Sequence, residues 1–330
     1  MHPPQKTIRF LGCGFMATLI LSLCACASLT DKRDVVIGEE RFAYTLRGTG
    51  EPTVVFEAGL GDGMDVWAPV YDGVSGFAMV FAYDRRGYGE SGKPVGAPKT
   101  LVTGKITRLV GEELLDAVIP AASTVVTLGT LAIRSAEEPA PRTGAVIIAE
   151  LHEVLKKANV RPPYVLVGHS AGGLYLSLYA RTYPEEVVGL VLVDSSHPEQ
   201  IERCQHYLPA KECDPRHAPW WLKTLIKMSP AVFEAELTGV AETGRQIRIA
   251  GPLPDVPRVV ISRGKPPVDE PGTGRMWAAL QRDLVNESPR GIHVIAHQSG
   301  HYIQSDEPEL VIRTIEELVM EVRQGRTVPQ

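Results

Sequence analysis

Short apolar runs recur along the chain, and the stretches between them carry apolar residues at helical spacing. Residues 41–46 alternate as a half-buried strand does, and Thr53-Val54-Val55-Phe56 is a continuous apolar run closed by a glycine-rich turn. Residues 78–83 end at Asp84, residues 164–167 end at Gly168, and 187–193, 256–261 and 293–295 read in the same way. Unbroken apolar runs suit strands covered on both faces, which means a mostly parallel sheet with helices on either side. The covering helices are predicted over 146–158, 174–183, 277–284 and 310–322. Strand and helix alternate, so the predicted class is α/β. No segment repeats at a period of about 20 to 50 residues, which excludes a solenoid or propeller.

Two segments interrupt the alternation. Residues 198–252 are rich in Trp, Pro and helix formers, and they fall where a helical cap would be inserted above the sheet. Residues 99–141 form a second insertion whose uncharged run, 117–133, is flanked by Glu112, Glu113, Asp116 and Arg134. With Pro120, Ser123, Thr124 and Thr127 inside it, that run is too short and too polar to span a bilayer. It reads as a helix packed over the core, or as a flap that touches a membrane. The body, residues 28–330, is then one α/β domain carrying both insertions.

The first 27 residues differ from the body. Lys6 and Arg9 precede an uncharged stretch, 10–30, rich in Leu, Ala and Cys, which is the pattern of an export signal. Gly12 and Gly14 interrupt it and argue against a permanent membrane span. Leu23-Cys24-Ala25-Cys26 resembles the bacterial lipobox, in which the final Cys is acylated after cleavage. Cys26 would then tie the protein to a membrane surface. Ala25 and Ala27 equally fit an ordinary signal-peptidase site, which would release a soluble protein. Of five cysteines, only Cys204 and Cys213 lie in the body, and in an oxidising compartment they are expected to pair as a disulfide. The metal alternative, with nearby His206 and His217, lacks ligands to complete a set. With 44% hydrophobic and 22% charged residues, the composition is that of a globular protein. The net charge of −5 provides no basic field, so nucleic acid is excluded as a partner.

Gly168-His169-Ser170-Ala171-Gly172 follows a predicted buried strand and opens a predicted helix, the setting a G-x-S-x-G nucleophile elbow needs. Ser170 sits at the turn, and side chains at the two glycines would collide with the adjoining strand and helix. A serine hydroxyl is a weak nucleophile at neutral pH and requires a base within hydrogen-bond reach. His301, in Gly300-His301 between the last predicted strand and the final helix, is the candidate; His293 and His297 compete.

These motifs together resemble the α/β-hydrolase family related to prolyl iminopeptidases, non-haem haloperoxidases and small esterases. Asp84-Arg85-Arg86-Gly87-Tyr88-Gly89-Glu90-Ser91 resembles its D-x-R-G-x-G-x-S loop, and Gly300-His301 with Pro308-Glu309 resembles its G-H…P-E ending. The match covers roughly 40–95, 142–200 and 255–323 and leaves out both insertions. The resemblance implies an oxyanion hole made by the backbone N–H groups of Leu60 and Ala171, although the familiar His-Gly reads Ala58-Gly59 here. It also implies an acid that orients His301, after one of two late strands: Asp194, which ends a strand directly and is favoured, or Asp269, farther beyond its strand.

A serine at the elbow favours acyl transfer, because epoxide hydrolases and dehalogenases of this fold carry an aspartate there. A carboxylic ester or lactone is the leading substrate class. An aminopeptidase, with Glu57, Glu234 or Glu236 holding a substrate ammonium, and an acyltransferase use the same triad. A non-catalytic binding lipoprotein is the remaining alternative. No cofactor is implied, since neither a phosphate loop nor a metal cluster occurs.

Overall fold

The computed structural model describes residues 28–92, 139–208, 213–219, 223, 226–227, 229–265 and 271–326. Its strands are β1 (Arg33–Ile37), β2 (Glu40–Arg47), β3 (Thr53–Glu57), β4 (Met79–Tyr83), β5 (Tyr164–His169), β6 (Val187–Val193), β7 (Arg258–Arg263) and β8 (Gly291–Ala296). They form one sheet in the order β1-β2-β4-β3-β5-β6-β7-β8. β1 and β2 pair antiparallel, as do β2 and β4, and every later pairing is parallel.

The unbroken apolar runs divide their side chains between two cores, because successive residues of a strand point to opposite faces. On one face Val55, Phe81, Leu166, Leu190 and Val260 meet α2 (Gly144–Lys157) and α3 (Ala171–Thr182) through Ile147, Leu151, Val154, Leu174 and Leu178. On the other, Val54, Val80, Val165, Val191 and Ile261 meet α1 (Ala68–Ser75) and α7 (Pro308–Arg326) through Val70, Val74, Val311, Ile315 and Val319.

Residues 198–252, expected from the sequence to form a cap, supply α4 (Gln200–Tyr207) and α5 (Ala231–Ile249), and Phe233, Leu237 and Ile247 of α5 extend the first core. Cys204 and Cys213 are joined by a disulfide with their Cα atoms 5.9 Å apart, beside Met276 and Leu280 of α6 (Pro271–Asn286).

The structure adds β1 and α1, which the apolar pattern does not announce. β1 is a half-exposed edge strand, and α1 is a short helix interrupted by Asp72 and Gly73. β7 begins at Arg258 and not at residue 256, because Pro257 has no N–H to give a ladder. The signal segment with Cys26, the run 117–133 and Asp269 lie outside the described residues. Among the described residues no helix is long and apolar enough to cross a membrane.

Parallel pairing aligns the strand ends that matter. Glu57 stands opposite Gly168, His169 opposite Val193, and Val193 opposite Ile261, so the loops after β3, β5, β6 and β7 leave the sheet at one edge.

Candidate active site

Ser170 occupies the turn between β5 and α3 with φ +53° and ψ −123°, a backbone conformation that costs a non-glycine residue strain. Two hydrogen bonds pin it to the end of β6: its N–H donates to the Val193 carbonyl at 3.1 Å, and Ser196 N–H donates to its carbonyl at 3.0 Å. The flanking glycines are required by space. A Cβ on Gly168 would lie 2.6 Å from the Gly173 backbone, and one on Gly172 would lie 2.3 Å from the Glu57 carbonyl oxygen. Gly173 is equally confined, since its Cβ would strike the Ser195 hydroxyl at 2.2 Å.

His301 Nδ1 lies 2.6 Å from Asp194 Oδ2. Asp194 follows β6 directly, also with positive φ (+41°), and its other oxygen accepts from Trp277 Nε1 at 2.7 Å and from the Arg263 backbone N–H at 3.2 Å. The Arg263 guanidinium adds an ion pair at 3.0 Å. Complete burial by itself would raise the Asp194 carboxyl, but Arg263, the bond to His301 and Trp277 outweigh it and hold the group at about 2. Asp194 is therefore a permanent anion, and it fixes the proton of His301 on Nδ1. Nε2, bare of that proton, is buried and makes no hydrogen bond.

His169 brings this imidazole to the elbow: its Nε2 donates to the His301 carbonyl at 3.0 Å, and the two rings are 4.6 Å apart. Burial pushes His169 down to about 3, so it is neutral. His293 instead bonds the Ser262 hydroxyl, and His297 is exposed.

Leu60, buried, follows β3 in a turn closed by a 3.2 Å bond from Asp62 N–H to the Gly59 carbonyl. Gly61 takes φ +87° there, as the third position of a type II turn requires. A point beside Gly59 lies 3.0 Å from Asp62 Oδ2 and 3.3 Å from Ser170 Cβ, so this turn abuts the elbow. Ala171, the first residue of α3, is buried beside it.

Residues 52–225 match the family model described as the alpha/beta hydrolase fold. The chain belongs to the alpha/beta hydrolase fold family. It is 24% identical over 265 residues to the uncharacterised protein YqjL of Bacillus subtilis (strain 168), covering 80% of this chain and 82% of that one. Its fold is shared with a thermophilic esterase from Thermogutta terrifontis, at 18% identity, TM-score 0.53, and coverage of 88% of this chain and 98% of the esterase. The enol-lactonase from Burkholderia xenovorans LB400 is similar at 15% identity and TM-score 0.50, over 87% of this chain and 100% of its own.

Within this hydrolase fold the Asp84–Ser91 loop is a brace for the turn after β3. Asp84 accepts from the backbone N–H of Met64 at 2.7 Å and of Glu90 at 2.8 Å, and side chains at Gly63 or Gly89 would overlap its carboxylate. Ser91 donates to the Asp84 carbonyl and accepts from Ala43 N–H, which ties the brace to β2.

The carboxylates suggested for holding an ammonium are engaged elsewhere: Glu57 and Glu236 both bind the buried Arg85, at 2.7 and 3.1 Å. Glu234 lies buried in α5. Sequence reasoning missed Arg263, Trp277, His169, Arg85 and Asp62. Arg263 sits in the Ser262-Arg263-Gly264 segment at the end of β7, where a cation instead of a carboxylate was the available signal. Trp277 carried none, because it arrives from α6 by packing. Among the described residues no group of three or more His, Cys, Asp or Glu could hold a metal ion.

Proposed function

We propose that this protein is a serine hydrolase that cleaves a carboxylic ester or lactone through an acyl-enzyme. The observation that carries the reading is the 2.6 Å contact of His301 Nδ1 with the ionised Asp194, which leaves Nε2 buried and unbonded on a ring 4.6 Å from that of His169, the residue before the strained Ser170. In this reading Ser170 Oγ attacks the carbonyl carbon as its proton passes to Nε2. The carbonyl oxygen, now an anion, rests on the Leu60 and Ala171 amides. Expulsion of the alcohol takes the proton from His301, and water repeats the sequence to free the acid. The names of the esterase and enol-lactonase that share the fold agree with this substrate class. The peptidase alternative is disfavoured because Arg85 engages Glu57 and Glu236, two of the three carboxylates it could use.

We further propose that residues 1–27 direct export and that Cys26 is the lipid attachment point. Substrate choice we assign to the two insertions, 99–141 and 198–252.

The test is reaction of the purified protein with a fluorophosphonate probe and with p-nitrophenyl esters and lactones. Wild type should be labelled at Ser170, and Ser170→Ala should lose labelling and turnover with an unchanged circular dichroism spectrum. Asp194→Asn should lower kcat on the order of thousands-fold, since His301 then presents the wrong tautomer. Wild type that is neither labelled nor active on any ester would sink the proposal.

A further inference from the structure

Arg85 is a large cation enclosed in the molecule, at 1% exposure, and the mechanism above makes no use of it. All five of its N–H groups are engaged, the full donor capacity of a guanidinium. Nε and Nη2 donate to the two oxygens of Glu236 at 3.1 Å each. Nη1 donates to Glu57 Oε1 at 2.7 Å and to the Ala58 carbonyl at 2.7 Å, and Nη2 donates to the Gly59 carbonyl at 2.7 Å.

The carboxylates are held in turn. Tyr83 donates to Glu57 at 2.7 Å and Tyr88 to Glu236 at 3.1 Å, while the rings of Tyr88 and Tyr175 lie 4.9 and 5.5 Å from the guanidinium carbon. A buried ion triad is a poor way to gain stability, because its desolvation cost is often larger than that of apolar residues of the same volume. Its return is sought in what it positions.

The two carbonyls that Arg85 grips belong to the peptides Ala58–Gly59 and Gly59–Leu60. In a planar trans peptide the C=O and the N–H point in opposite directions, so a carbonyl that is held fixes the aim of the N–H on its far side. The Gly59 carbonyl is held twice, by Arg85 and by Asp62 N–H. The Leu60 N–H is thereby aimed away from Arg85. Glycine at position 59 has no side chain to keep this peptide plane from turning, which makes an external clamp necessary.

We propose that Arg85 is a positioning residue for the oxyanion hole: it locks the Gly59–Leu60 peptide so that the Leu60 N–H faces the carbonyl oxygen attacked by Ser170, and through Glu236 it makes that lock depend on α5 of the cap. Arg85 stands at an x position of the D-x-R-G-x-G-x-S loop, and its neighbour Arg86 reaches outward to Glu40. The inference rests on the ester-hydrolase reading, and its test separates the two.

Arg85→Lys keeps the charge but cannot bridge two carbonyls and two carboxylates. Because a single change in a buried triad endangers folding, Glu57→Gln/Arg85→Met serves as a charge-balanced second variant that leaves Glu236 near Arg142 (3.7 Å). For each variant kcat and KM on p-nitrophenyl butyrate are measured, with the inhibition constant of a trifluoromethyl ketone. Ser170 converts that ketone into a hemiketal whose oxygen carries the negative charge of the transition state.

Misaiming one donor should lower kcat about ten- to hundredfold with KM within about twofold, and should weaken the ketone by the same factor as kcat. A general loosening of structure would not reproduce that match. The proposal is overturned if a folded variant keeps kcat within about twofold of wild type, or if kcat falls while the ketone binds as before. Wild type that is labelled by fluorophosphonate but hydrolyses no ester counts against the substrate reading only, and the labelling rate then tests Arg85 in place of kcat.

Discussion

Three acidic residues at this site differ in charge because their surroundings differ. Asp194 meets Arg263, His301 and Trp277, which hold its carboxyl at about 2 against the effect of burial, so it stays ionised at neutral pH. Glu57, raised by burial, is compensated by Arg85 and Tyr83. Asp62 has little of either. Its carboxyl is enclosed although the residue as a whole is only half-buried, Tyr302 donates to it at 3.4 Å, and burial pushes it up to about 7. A carboxyl whose folded value lies above its unfolded value of about 3.9 stabilises the fold below that value, and the benefit drains away as pH rises to about 7. Asp62→Asn removes the dependence. The Tm difference between Asp62→Asn and wild type should therefore grow in favour of the variant from pH 5 to pH 8, as read by calorimetry. A difference that is flat or falls over this range would show that Asp62 keeps an ordinary carboxylate value. Asp84, raised to about 6 by burial, is present in both proteins and cancels.

Among elements, the β5–α3 hairpin depends most on one residue type. Gly172 does not use a special φ; it is glycine because the end of β3 passes so close that a methyl group would meet the Glu57 and Ala58 carbonyls at 2.3 and 2.7 Å. The Glu57 carbonyl is backbone of a central strand and the Ala58 carbonyl is held by Arg85, so neither can swing aside. Gly172→Ala should thus push β3 away from the elbow, which moves both Leu60 and the Arg85 clamp. Overpacking of this kind costs about 1 to 3 kcal/mol. The expected outcome is a lowered Tm together with slower fluorophosphonate labelling of Ser170, and a Tm and labelling rate equal to wild type would contradict the close approach. The same two-core logic explains the elements that the apolar pattern left out. α1 buries only Val70, Tyr71 and Val74 in eight residues, too few for a clear period, and β1 buries almost nothing.

At the scale of the whole molecule the proposal concerns where it works. If Cys26 is acylated, each buried methylene adds about 0.8 kcal/mol, and several chains hold the protein at a membrane surface. Cys26→Ser should then shift the protein from the membrane to the soluble fraction, and mass spectrometry of the mature N-terminus checks it; an unmodified N-terminus at Ser28 would mean ordinary signal-peptidase cleavage. The sequence by itself determined the α/β class, the central strands, and the candidates Ser170 and His301, because apolar periodicity and the glycine spacing of an elbow are local properties of the chain. It narrowed the partner of His301 to two aspartates and favoured Asp194 because that residue ends its strand directly. Tertiary structure decided that Asp194 meets His301 and that Trp277 and Arg263 surround it, since these residues come from β6, α6 and β7 and share no sequence spacing. It also decided that Glu57 and Glu236 belong to Arg85, 28 and 151 residues away along the chain. Charges this far apart are paired by the parallel register of the sheet and the packing of α5 against the first core, and no local pattern encodes either one.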